Sequence, residues 1–149
     1  LRVDYPNRDE EREIMRRIAG QELAPLAVVA TPAELLAARR EIAGLYMDDK
    51  IADYIVDIVH ATRRPRDFGL EEIAPLIEYG ASPRATISLA LCARAHAYLR
   101  GRGYVLPEDV KAVGPAVLRH RVLTSYEAEA EEVTSDDLVA RVFEAVDVP

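Results

Sequence analysis

Helix-start signals recur along this chain, and behind each one the apolar residues fall at helical rather than strand spacing. Asn7 with Glu10, Thr31-Pro32 with Glu34, Asp48 or Asp49, Ser82-Pro83 and Pro107-Glu108-Asp109 each put a capping oxygen, a proline or an acid where a first turn leaves N–H groups free. Ile14, Met15 and Ile18 form one stripe, and Leu35, Leu36 and Ile42 another. Ile51, Tyr54, Ile55, Ile58 and Val59 follow the i, i+3, i+4, i+7, i+8 pattern of an amphipathic helix. Gly20, Gly44, Pro65 and the pair Gly101 and Gly103 mark stops. Few stretches alternate with period two. The predicted fold class is therefore all-α, a small helical bundle behind an extended start through Asp4-Tyr5-Pro6-Asn7.

Some stretches are less decided. Pro65, Gly69, Pro75 and Gly80 break any long helix between residues 65 and 81, and Leu70–Tyr79 fits a short helix or an extended piece. The Ala-rich helix from Ser82-Pro83 to about Arg100 carries Ile87, Leu91, Ala95 and Leu99 along one face, with small residues that let another helix approach. Gly114-Pro115 is expected to bend or split the helix that begins at Pro107. A final short helix after Ser135 has Leu138, Val139, Val142, Phe143 and Val146 as its apolar face.

Charge narrows the function classes. The chain has 149 residues and a formal net charge of −7. Glu127, Glu129, Glu131, Glu132, Asp136, Asp137, Glu144 and Asp147 lie beyond Leu123 against Arg141 alone, so the body is neutral and the tail acidic. A dedicated nucleic-acid binder, a helix-turn-helix protein included, needs a positive field that this chain lacks. No apolar run approaches the roughly 18 residues of a membrane-spanning helix. The tail is expected to be a solvated helix on a short linker, or else a segment that docks on a partner or a neighbouring subunit through Val139, Val142, Phe143 and Val146. The single cysteine excludes an intramolecular disulfide and fits a reducing compartment. The chain opens on Leu1 without the charged-then-apolar layout of a signal peptide, and is expected to be a cytoplasmic piece of something longer.

Familiar catalytic patterns are missing: no G-x-x-x-x-G-K-[ST] loop, no G-x-S-x-G elbow and no H-E-x-x-H. Cys92 and His96 are spaced to share a helix face, but two ligands do not close a zinc site. The expectation there is a buried thiol beside a partly buried imidazole. Arg84 breaks a rule, because it sits in the first turn of a helix, where the macrodipole opposes a cation by roughly 0.3–1 kcal/mol. A helix N-terminus with an arginine is, however, a receptor for an anion: free N–H groups, a favourable dipole and a forked donor. Gly80 just ahead permits close backbone approach. Arg63, Arg64 and Arg66 form a second basic cluster, either solvated at a helix end or lining a subunit interface.

Gly80-Ala81-Ser82-Pro83-Arg84-Ala85, then an Ala-rich helix, then Gly101-Arg102-Gly103-Tyr104-Val105-Leu106-Pro107-Glu108-Asp109-Val110 and Val117-Leu118-Arg119-His120-Arg121, resemble the C-terminal part of MoxR-type AAA+ ATPases. Val3-Asp4-Tyr5-Pro6 with Glu10, Glu11 and Ile14 resembles the end of that family's ATPase core. The similarity runs from Leu1 to about Val122; Leu106, in place of a hydroxyl cap, and Gly114-Pro115 depart from the pattern. The resemblance implies an AAA+ lid-like bundle preceded by a short strand and helix remnant of the core. Residues 1–22 would be the end of the core and the passage to the lid, 23–123 the lid domain, and 124–149 the acidic tail with a C-terminal helix.

The resemblance also implies roles. Arg84 matches the sensor-2 arginine that reaches the β/γ-phosphates of ATP, with Ser82 and Pro83 positioning it by capping and by fixing φ. The parent protein would bind and hydrolyse ATP with Mg2+ and assemble as a ring, typically a hexamer. It would mature or activate partner complexes, often beside von Willebrand factor A domain proteins. The partners implied are the AAA+ core of the same chain and neighbouring ring subunits, with no nucleic acid and no membrane insertion. Without the phosphate loop and acidic pair, this chain alone is expected to hydrolyse no ATP and to bind nucleotide weakly at most. The rival expectation is a free-standing helical interaction adaptor.

Overall fold

The computed structural model describes residues 3–20 and 26–149, which fall into two compact units divided between Ala37 and Ala38. The expected passage from core to lid, at residues 22 and 23, lies outside the described residues.

In the first unit, residues 3–7 carry no regular secondary structure and lead into α1 (Arg8–Gly20). Asn7 Oδ1 accepts from the N–H of Glu10 at 3.0 Å, and Glu10 Oε2 accepts from the N–H of Asn7 at 2.8 Å. That reciprocal pair satisfies donors the helix leaves open. Helix α2 (Pro32–Ala43) starts the same way, with Glu34 accepting from the Thr31 N–H at 2.7 Å. Ile14, Met15 and Ile18, like Leu35 and Leu36, are exposed.

The second unit is built on α3 (Asp49–Arg63), whose cap is Asp48: its side chain accepts from the Lys50 N–H at 3.0 Å. Ile51, Tyr54, Ile55, Ile58 and Val59 are all buried, as their spacing predicts, and each large aliphatic among them contributes about 1.5–3 kcal/mol. Two 3₁₀ turns follow, Pro65–Phe68 and Glu71–Ile73, then strand β1 (Ile77–Tyr79). Thus the undecided stretch 70–79 holds a short helix and an extended piece in turn. Next come α4 (Pro83–Leu99), α5 (Pro107–Leu118), β2 (Leu123–Thr124), α6 (Tyr126–Ala130) and α7 (Ser135–Ala145). Strands β1 and β2 pair antiparallel, the one sheet among the described residues.

Three expectations are corrected. On α4 the inward face is Ala85, Leu89, Ala93 and Ala97, whereas Ile87, Leu91 and Leu99 are exposed. The Ala-lined ridge lets α5 approach closely, and on α5 Val110, Val117 and Leu118 are buried. Helix α5 runs unbroken through Pro115: the carbonyl that loses its N–H partner belongs to Lys111, an exposed residue. Gly114 serves packing instead, because a Cβ there would collide with the ring of Phe143 on α7. Finally, Leu138, Val139, Val142 and Val146 are buried in the domain's own core, so the apolar stripe of α7 is not free for a partner. At the α5 start, Leu106 has no side-chain acceptor, and the Asp109 carboxylate takes its N–H at 2.8 Å.

Candidate functional site

Arg84 is placed by a chain of local constraints. Thr62, fully buried near the end of α3, donates its hydroxyl to the Val59 carbonyl at 2.7 Å and accepts the N–H of Ala81 at 2.9 Å. Gly80 lies against the same turn of α3, where a Cβ would collide with the Thr62 carbonyl and the Arg63 backbone. The close approach proposed for this glycine is therefore to α3. Buried Ala81 then anchors the turn, Ser82 takes the extended cap conformation (φ −75°, ψ 168°), and Pro83 opens α4.

Ser82 caps through its backbone only. Its carbonyl accepts from Ala85 at 2.8 Å, and its hydroxyl makes no capping hydrogen bond, contrary to the side-chain cap expected. Arg84 is exposed on the first turn, opposite Ala85 and Leu89, and has no hydrogen-bond or ion-pair partner among the described residues. That turn contains no acidic residue. Positive dipole end and guanidinium thus stand uncompensated together, the arrangement that receives an anion.

Arg63, Arg64 and Arg66 are exposed around an open cleft of about 380 Å³ whose wall includes Pro75, Glu78 and Gly80. Arg64 reaches Asp67 at 4.0 Å. The cluster and the Arg84 turn therefore adjoin through Gly80.

A third polar group, not foreseen from the sequence, joins α4 to α5. Asp109, fully buried, accepts both nitrogens of the Arg102 fork (2.7 and 2.5 Å), meets His96 Nδ1 at 2.6 Å and holds the Leu106 N–H. Burial pushes this carboxyl up, but Arg102, the Leu106 N–H and His96 outweigh it and hold it at about 2. The triad ties α4 to α5 across the 100–106 loop. The His96 expected to pair with Cys92 is thus engaged by Asp109, and Cys92 is exposed rather than buried. Among the described residues, no group of three or more His, Cys, Asp or Glu is placed to hold a metal ion. Nor is any helix of the described residues long and apolar enough to cross a membrane.

The chain is similar to known proteins. Residues 71–142 match the AAA lid domain family. Chaperone MoxR1 of Mycobacterium tuberculosis is 36% identical over 149 residues, covering 100% of this chain and 39% of that protein. Protein MoxR of Methylorubrum extorquens is 37% identical over 105 residues, 66% of this chain and 30% of that protein. A crystal structure of a candidate ATPase from Cytophaga hutchinsonii superposes with a TM-score of 0.87 at 35% identity, over 99% of this chain and 45% of that one. The chain therefore spans less than half the length of each of these relatives.

Proposed function

The chain belongs to the MoxR family of AAA proteins and carries its lid domain, and from that premise we propose that Arg84 senses the phosphates of a nucleotide held by an ATPase core. The observation that supports this is the exposed guanidinium of Arg84, without a partner among the described residues, on a first turn that lacks any acid. A contact made to the γ-phosphate and weakened after its loss gives the two nucleotide states different affinities, which any nucleotide-driven motion requires. The phosphates fit these residues: the free first-turn dipole and the fork match their charge and shape.

In this proposal the longer protein hydrolyses ATP with Mg2+, assembles as a ring, typically a hexamer, and works in the cytoplasm as a chaperone that matures or activates partner complexes. Its contacts include the AAA+ core, neighbouring ring subunits and a von Willebrand factor A domain protein. The relative from Mycobacterium tuberculosis is named a chaperone, which supports the chaperone part of the proposal by similarity. The lid alone turns over no ATP. The test is steady-state ATPase of the longer protein bearing Arg84→Ala, expected to fall by about 10²-fold or more, with Arg84→Lys recovering only part because the ammonium is not forked. An Arg84→Ala enzyme with full turnover overturns the assignment, as does ATP turnover by the 149-residue chain itself.

A further inference from the structure

We propose that Arg121 is a second phosphate-binding residue of the lid, taking the same nucleotide as Arg84 and resting on the reading of Arg84 as a phosphate contact. Ser88 lies four residues after Arg84 on α4, so the two side chains share one face, with Cβ atoms about 5–6 Å apart. Arg121 Nη2 donates to the Ser88 Oγ at 3.4 Å. The strand pair brings the same segments together independently. Leu123, two residues beyond Arg121, pairs with Tyr79, and the chain runs from Tyr79 through Gly80 into the turn before Arg84. Two guanidinium groups from distant parts of the sequence thus stand about one helical turn apart.

The Arg121 guanidinium is held in place without being neutralised. It is half-buried, and its Nη1 donates to the Val117 carbonyl, one of those the end of α5 leaves open, and meets His120 Nε2. No carboxylate pairs with it among the described residues, and its Nε donates to none of them. Arg119, two residues earlier, is by contrast paired with Asp136 at 3.3 Å. Helix α4 carries no acidic residue along its length, so nothing on it offsets Arg84 or Arg121. Like charges set this close repel, and an anion bound across both removes the repulsion. The Val117 contact alone would serve the end of α5. Nη2 turns away from it to the Arg84 face of α4, and its 3.4 Å bond to Ser88 is long enough to be exchanged for a phosphate oxygen, a charged and stronger acceptor. A nucleoside triphosphate spreads its charge over successive phosphates, so a second fork beside the first takes a second phosphate. Val117 and Ser88 have already ordered that fork, which lowers the cost of the contact. Ser88 is then a positioning residue.

Equilibrium binding of ATP and AMP to the longer protein, with Mg2+ withheld to stop turnover, tests it. Arg121→Gln keeps an N–H donor and removes the charge. It is expected to weaken ATP at least about tenfold, and AMP, which lacks the outer phosphates, by less than about twofold. Arg121→Lys is expected to fall between, because an ammonium keeps the charge without the fork. Ser88→Ala is expected to weaken ATP by about twofold to threefold, since the fork is then less ordered. An equal loss for ATP and AMP overturns the proposal, because a packing defect does not distinguish them. So does unchanged ATP binding by Arg121→Gln beside an Arg84→Ala enzyme that has lost turnover, an outcome that leaves the Arg84 reading standing. Full turnover by Arg84→Ala removes that reading, and this one falls with it. Thermal unfolding of the 149-residue chain shows whether Arg121→Gln folds. If it does not, Arg121→Lys decides: a loss confined to ATP supports the contact, and an equal loss or none overturns it.

Discussion

The Thr62 hydroxyl, 19 residues before Ala81 in the chain, accepts the Ala81 N–H at 2.9 Å in a fully buried setting. One oxygen thereby serves both the end of α3 and the turn that presents Arg84. Thr62→Val keeps the shape and strands the Ala81 N–H, so a loss of about 1–3 kcal/mol is expected in urea unfolding. Thr62→Ser, which keeps the hydroxyl, is expected to lose less.

Two glycines make close contacts with different neighbours. At Gly80 an added Cβ meets the backbone of Thr62 and Arg63, which cannot yield without moving α3. At Gly114 it meets the outer edge of the Phe143 ring, which can turn. Gly80→Ala is therefore expected to cost about 2–3 kcal/mol, near the upper end for overpacking. Gly114→Ala is expected to cost less, because alanine returns about 1 kcal/mol of helix propensity. Phe143→Leu in the Gly114→Ala background is expected to raise the melting temperature relative to Gly114→Ala alone.

The Asp109 carboxyl is held at about 2, below its ordinary 3.8. A depressed carboxyl favours the folded state above the unfolded value. Its contribution, on the order of 2 kcal/mol, is present above pH 4 and drains away as pH falls from about 4 to about 2. Asp109→Asn is expected to lose about 3 kcal/mol at pH 7, tempered by the partial solvation of Arg102, and to flatten the pH dependence in that window. Chemical denaturation of both proteins between pH 2 and 7 measures it.

Arg84→Ala is expected to leave the isolated chain as stable as before, or to stabilise it by roughly 0.3–1 kcal/mol, since a cation leaves the positive end of α4. Thermal unfolding checks this. Unchanged stability beside lost ATPase in the longer protein separates a functional role from a structural one.

The starts of the helices were legible in the sequence because capping joins residues three apart. Asn7 with Glu10 and Thr31 with Glu34 close within one turn whatever the rest of the chain does, whereas the same kind of pair at α7, Thr134 with Asp137, was not singled out in the sequence. The buried stripe of α3 was equally plain, since five large apolar residues on one face leave a single way to turn. Helix α4 was different. Ile87, Leu91 and Leu99 outweigh the alanines opposite, yet the alanines are buried, because what α5 needed was room for its backbone rather than bulk. Likewise His96, Arg102 and Asp109 sit on two helices and the loop between them, and β1 pairs with β2 more than forty residues on. Arg84 itself could be singled out by its place in a first turn. That it stands exposed, without a partner among the described residues, beside a basic cleft, follows only from how Gly80 and Thr62 lock the preceding turn onto α3. Local hydrogen bonds need only neighbours in the chain; faces, buried charges and strand partners are chosen by surfaces that exist only once the elements have packed.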